Sequence, residues 1–255
     1  YHLDSGIRRR LVQDALALKN SFGFNMQFAL LKRSLLAELT TDGGFYHSPY
    51  PDYYAMNLVM LEAESVLVHE PPLVCIGVSP KSFGWYFLNS QENSGNAHLG
   101  ISGDGLEAAG LEADDFLPGT SMNTHWLMSM AMLRQRLGSA CTLPQPSIGN
   151  YRRKQIIYFC ILIAGGQVSG ADRRAFRKAL GRREGLLFAL LGTLARLGSP
   201  GRVVLMKLHV LSEKTPLYVF RMLARRLRFP GRRYVVQPGQ GILDGPQIVA
   251  SKASG

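Results

Sequence analysis

Apolar positions along the chain change rhythm several times, and each rhythm predicts an element. In Leu11–Leu18, "LVQDALAL", they recur at helical spacing, and the pattern fades near Lys19-Asn20. In "FGFNMQFALL", Phe24, Met26 and Phe28 alternate with Asn25 and Gln27, the period of a strand. Lys32–Leu39 then reads as a short helix and Thr40–Gly44 as a loop. Pro51 suits the first turn of the next helix, where a missing N–H costs nothing, and that helix should run to about Glu64. "SVLVHE" and "PLVCIGVS" are short β-branched runs split by Pro71-Pro72, which predicts two strands with a sharp connection. Asn89–Gly119 is rich in Gly, Ser, Asn and acids and reads as a loop. The capping residues of "TSMNTHW" open a helix over Ser121–Leu137, and "LPQPS" at 143–147 is the best linker candidate.

Beyond that point the character shifts. "YRRKQIIYFCILIAGG", "ADRRAFRKAL", "REGLLFALLGTLARLG" and "PLYVFRMLARRLRF" all have helical patterns, and each mixes apolar residues with Arg. The tail from Gly231 is rich in Gly and Pro. The longest apolar run, Ile156–Gly166, covers about 10 residues, against about 20 for a bilayer-spanning helix. The expected fold is therefore α/β over residues 1–142, followed by a basic, mainly α-helical extension over 143–255.

Composition changes this picture in two places. With 255 residues, 46% hydrophobic residues and a mean hydropathy near zero, the chain is long enough to bury a real core. Net charge is +11, but residues 1–148 carry 9 Lys/Arg against 14 Asp/Glu, whereas 149–255 carry 20 against 4. Such asymmetry points the second part toward an anionic partner. Cys75, Cys141 and Cys160 are odd in number and widely spaced, which argues against a disulfide framework or zinc ribbon and for a reducing, cytoplasmic setting. The first residue is Tyr1, no signal-peptide pattern follows it, and the chain reads as a piece whose upstream sequence is missing.

The chemistry concentrates in "GGFYHSPYPDYYAMNLVMLEAE", Gly43–Glu64. A carboxylate at a helix N-terminus, as at Asp52, is favoured by the macrodipole whatever else it does. Its surroundings suggest more. Phe45, Tyr46, His47, Tyr50, Tyr53 and Tyr54 offer flat faces and hydroxyls that suit sugar rings. Pro49 and Pro51 restrain the backbone, and Gly43-Gly44 lets it turn close to a ligand. A carboxylate fixed beside a polyol pocket can act as a general base on a hydroxyl.

The order of these parts is "NMQFALL", "KR", "GGF", "PD", an amphipathic helix, then "SVLVHE" and "PLVCIGVS". It resembles the acceptor-side half of an inverting family-2 glycosyltransferase, of the A-type fold. "SPYPDYYAMN" with "PPLVCIGVSPKSFGWYFLN" is similar to a bacterial subset of that family. The resemblance covers roughly Phe24–Asn89, and more weakly the helix after Met122. It implies that Asp52 is the base that activates the acceptor hydroxyl for attack on a nucleotide sugar. The family's usual Glu before this Asp is Pro51 here. The resemblance also implies an Asp-x-Asp motif for Mg²⁺ or Mn²⁺ and the donor diphosphate, lying upstream of the base. Only 51 residues precede Asp52, and Asp114-Asp115 and Asp104 lack the preceding apolar strand, so no metal ligand is assigned in this chain. On this reading residues 1–142 are an acceptor-side fragment without the nucleotide-binding half, inactive alone. Its partners would be a nucleotide-sugar donor and a glycan or lipid-linked acceptor.

Gly44, Phe45, Tyr50, Tyr53, Lys81 and Trp85 are the substrate-binding candidates. Lys81, Ser82 and Tyr86 follow the second expected strand, where ligand contacts commonly gather. Lys81 could meet an anion and Trp85 a sugar face. His47 reads as a loop histidine and His125 as a helix-start residue. No HExxH, GxSxG, P-loop or GxGxxG is present, which removes the corresponding enzyme classes. Two basic clusters, Arg173–Arg183 and Arg221–Arg233, interleave with Leu, Phe and Ile. They resemble amphipathic helices on an anionic membrane surface, at the inner face of the membrane. The competing reading is a non-catalytic basic module on membrane or nucleic acid, the latter without a supporting motif.

Overall fold

A computed structural model describes residues 2–22, 26, 29–40, 44–46, 51–69, 82, 85–86, 91, 94, 97 and 110–214. Packing divides the chain into Tyr1–Thr215 and Pro216–Gly255, and the second unit, with the Arg221–Arg233 cluster, lies outside the described residues.

The described part is mainly helical, with one small two-stranded antiparallel sheet. Strand β1 (His2–Leu3) pairs with β2 (Val66–Leu67) in the register His2 with Leu67 and Leu3 with Val66. The helices are α1 (Ser5–Leu16), α2 (Arg33–Thr40), α3 (Pro51–Glu62), α4 (Ser121–Arg136), α5 (Ile148–Ala164), α6 (Gly170–Lys178), α7 (Arg182–Ala195) and α8 (Ser199–Ser212).

Local chemistry explains most of these boundaries. Asp4 caps α1 by accepting the Ile7 N–H at 2.8 Å. Thr120 and Ser147 cap α4 and α5 in the same way. Ser169 and Asp172 form a reciprocal capping box at α6. Pro51 opens α3 and leaves Asp52 in its first turn. One strand expectation is corrected: Met26 lies in a 3-10 turn closed by the Ala29 N–H on the Met26 carbonyl at 3.1 Å, not in a strand. Its expected strand neighbours 24, 25, 27 and 28, and "PLVCIGVS", lie outside the described residues.

Two apolar clusters form the core. The first joins α1, α3 and α4 through residues such as Val12, Leu16, Leu58, Met60, Leu127 and Met130. The second joins α5 to α6, α7 and α8 through Ile156, Phe159, Cys160, Phe176, Leu191 and Leu205. Helix α5 belongs to both, since Tyr151 packs in the first cluster and Ile156–Ile161 in the second. Packing is thus continuous across the boundary expected after residue 142. The "LPQPS" stretch is no slack tether: Leu143 is buried, and the Ser147 N–H donates to the Leu16 carbonyl at 2.9 Å.

Polar side chains lock the helices together where backbone groups run out. Arg8, buried, donates to the Met60, Ala63 and Glu64 carbonyls and so satisfies the end of α3. Gln155, buried in α5, accepts from the Thr120 N–H and Asn123 Nδ2. It donates in turn to the Leu117 and Thr120 carbonyls. Arg152 forms a two-point ion pair with Glu184 at 2.7 and 2.9 Å and also donates to the Asp114 and Ala179 carbonyls. The pairing raises the pKa of Arg152 and lowers that of Glu184, the hydrogen bond between them being the main cause in each.

Helices α7 and α8 approach so closely that a Cβ on Gly201 would sit 1.8 Å from the Leu194 carbonyl oxygen. Gly201→Ala should therefore force the pair apart and cost about 1–3 kcal/mol or more in urea unfolding, where an ordinary helical Gly→Ala change stabilises. An unchanged or raised midpoint would show that the helices do not meet there.

Candidate active site

Helix α3 is buried on every side over seven consecutive residues, Tyr54–Met60, because α1 and α4 pack against it. A helix held all round cannot roll or slide without opening the core. Its first turn leaves that packing, and Asp52 sits there half-buried. Burial raises the Asp52 pKa, partly opposed by a hydrogen bond from the Met26 backbone N–H to the carboxylate. The result is a carboxylate with restricted freedom, incomplete hydration and some solvent contact, which are the properties a general base needs.

The loop leading to α3 is held by one residue that the sequence did not flag. Arg136, in the last turn of α4, donates to the Leu39 carbonyl at 2.9 Å and the Gly44 carbonyl at 3.4 Å. It also hydrogen-bonds the Tyr54 phenol. One guanidinium thus ties α2, the Gly-Phe loop, α3 and α4. Gly44 has φ +113°, and a Cβ there would touch nothing within 4 Å, so backbone conformation rather than space selects glycine.

Phe45, expected to face the substrate, is 3% exposed and belongs to the first core cluster. Its ring meets Tyr46 edge-on at 4.8 Å, and Tyr46 is exposed. In this structure Phe45 anchors the loop, and Tyr46 is the aromatic face it leaves at the surface. Tyr53 packs on Trp126 of α4 with ring centroids 4.8 Å apart. Burial, then the charges of Glu213 and Asp52, pushes the Tyr53 phenol up to about 12, so it stays a protonated donor at neutral pH. Trp85 is exposed and lies in a helical turn whose N–H donates to the Ser82 carbonyl at 3.0 Å. Tyr50, Lys81 and His47 lie outside the described residues. His125 is buried in the second turn of α4, past its start.

Behind Tyr53 lies a charged cluster that sequence patterning also missed. Trp126 donates its indole N–H to the Ala15 carbonyl at 3.1 Å. The Lys154 ammonium lies 4.3 Å from the Trp126 ring centroid and 3.6 Å from Glu213. Glu213 is also 3.9 Å from His209 Nε2. A lone Lys in an Arg-rich helix gives no sign that tertiary packing will bury it.

Among the described residues, no group of three or more His, Cys, Asp or Glu could hold a metal ion. Asp115 caps its own 3-10 turn by accepting the Glu112 N–H, and Arg152 takes the Asp114 carbonyl. The Asp115 carboxylate is thus engaged in its own turn, and Asp104 lies outside the described residues. A cavity of about 250 Å³ lined by Ser5, Arg8, Met60 and Leu61 sits at the opposite end of α3 and plays no part in the Asp52 site. No protein-family model, curated protein or solved structure matches the chain.

Burial lowers the Lys154 pKa to about 8, with Glu213 pulling the other way. Between that value and the ordinary 10.5, the folded chain binds fewer protons at this site than the unfolded one. The burial cost is therefore full below pH 8 and relaxes as pH rises. Lys154→Met removes the effect. The stability difference, variant minus wild type, should fall by roughly 1–3 kcal/mol between pH 7 and pH 10 in urea titrations. A difference that is flat with pH contradicts a buried ammonium.

Proposed function

We propose that this chain is the acceptor-side part of an inverting glycosyltransferase of the family-2 kind, with Asp52 as its general base. One observation carries the reading. A half-buried carboxyl, steered by the Met26 N–H, stands in the first turn of a helix that the core immobilises. It lies within the stretch whose order of motifs resembles that family.

In this reaction the Asp52 carboxylate accepts the proton of an acceptor hydroxyl as that oxygen bonds to the anomeric carbon of a nucleotide sugar. The bond from that carbon to the diphosphate breaks on the opposite face, so configuration inverts. The nucleoside diphosphate leaves with the bonding pair. Tyr46 and Trp85, both exposed, supply aromatic faces for sugar rings, and the protonated Tyr53 phenol beside Asp52 stays uncharged. Arg136 acts as a positioning residue, because its guanidinium is taken by the Leu39 and Gly44 carbonyls and the Tyr54 phenol. By the family resemblance, the Mg²⁺ or Mn²⁺ that would neutralise the leaving diphosphate would be held by an Asp-x-Asp motif on the N-terminal side of Asp52, and no residue of this chain is assigned to it.

The test uses the full product of the open reading frame that encodes this chain, assayed for nucleoside diphosphate release from a panel of nucleotide-diphosphate hexoses. Asp52→Asn should lower turnover by about 10²–10⁴-fold with donor affinity kept. Because desolvation disfavours its charged carboxylate, it should also not lower Tm. That reading frame should encode an apolar strand ending in Asp-x-Asp on the N-terminal side of Asp52. Unchanged turnover in Asp52→Asn would remove Asp52 from the mechanism, and absence of the upstream motif would favour a non-catalytic binding module.

A further inference from the structure

Helices α7 and α8 pack on each other and both pack on α5, so their outward faces point away from the second core. Those faces are apolar. On α7, Leu186 and Leu190 lie one turn apart and are 69 and 66% exposed, and Leu197, in the turn just past the helix, is 61% exposed. On α8, Val203, Met206 and Val210 are 54, 50 and 53% exposed. Leu and Val at this exposure on two adjoining helices form a patch beyond the scattered apolar residues of an ordinary surface.

The charge around the patch has one sign. Residues 179–214 contain six Lys/Arg and two acids, Glu184 and Glu213. Glu184 is taken by Arg152, and Glu213 by Lys154 and His209, all part of the interior network. The exposed charges on α7, α8 and the turn between them are Arg182, Arg183, Arg196 and Lys207. A partner that fits must offer an apolar medium beneath anionic groups. Nucleic acid offers the phosphates without the apolar medium. A bilayer with anionic headgroups offers both.

Each helix has 14 residues and is thus about 21 Å long, short of the ~30 Å hydrocarbon core. Among the described residues no helix is long and apolar enough to cross a membrane. We infer that the α7–α8 hairpin lies flat on an anionic lipid surface, with Leu186, Leu190, Leu197, Val203, Met206 and Val210 sunk among the acyl chains. Arg182, Arg183, Arg196 and Lys207 then meet the headgroups. The inference stands apart from the sugar-transfer reading, since it uses no residue of the Asp52 site.

The test is flotation of the full 255-residue chain with vesicles of phosphatidylcholine alone and of phosphatidylcholine with 30% phosphatidylglycerol. The chain should bind the anionic vesicles at least tenfold more tightly than the neutral ones. The double variant L190S/V210S changes no charge and replaces only exposed side chains, so its circular dichroism should match wild type. It should lose most of the binding at every salt concentration, and Arg182→Glu/Arg183→Glu should lose both affinity and salt dependence. Wild-type binding by L190S/V210S would overturn the proposal by placing the contact elsewhere in the basic chain. Binding to neither vesicle, with a concentration-dependent dimer that L190S/V210S abolishes, would overturn it in favour of a second copy. RNA binding that L190S/V210S weakens while vesicles remain unbound would overturn it in favour of nucleic acid. None of these outcomes bears on turnover, so the Asp52 reading stands or falls separately.

Discussion

The burial of α3 is the constraint on which the rest depends. Seven successive buried residues give this helix no solvent face along its middle, so its ends are fixed by the core rather than by the loops that reach it. Arg8 satisfies its last carbonyls, and the Met26 N–H and Arg136 secure its entry. Whatever Asp52 does, it does from a fixed position. The dehydration that makes the carboxylate costly is the same dehydration that makes it a stronger base.

A second level of organisation runs through α5. Its first turns belong to the core beneath the Asp52 site and its later turns to the core beneath α7 and α8. Lys154 and Gln155 project from it into the polar groups that join the two clusters. Phe159 stacks on Phe176 at 3.8 Å and anchors α6, so the basic residues of that helix sit on a docked element with an exposed face. One helix therefore connects an acid-bearing layer with a basic, apolar-surfaced one. That arrangement agrees physically with the charge asymmetry of the sequence.

Much of the helical framework was legible before the structure. Pro51 and the Thr120 cap placed the starts of α3 and α4, because helix starts depend on nearest neighbours. Helix α1 begins earlier than its apolar rhythm, since Ser5–Arg10 is held by the Asp4 cap and the burial of Arg8 rather than by periodicity. The alternation at Phe24–Phe28 misled at Met26, where a local i+3 hydrogen bond outweighs a short period-2 pattern. At the candidate site, the place of Asp52 in the first turn of α3 and the positive φ of Gly44 follow from Pro51 and from backbone demands. The burial of Phe45 does not follow from the sequence, because an aromatic in a loop looks the same whether it faces a ligand or the core. Arg136, Trp126 and Lys154 escaped notice for the same reason: their partners lie 28 to 111 residues away.

The most direct measurement is the ionisation of Asp52 itself, by ¹³C NMR titration of its carboxyl carbon in the intact chain, assigned against Asp52→Asn. A midpoint above the ordinary aspartate value of 3.8 is expected, together with protection of the Met26 amide when the carboxylate forms. A midpoint at or below 3.8, or a Met26 amide indifferent to the titration, would show a hydrated helix-capping acid and remove the physical basis for a base at this position.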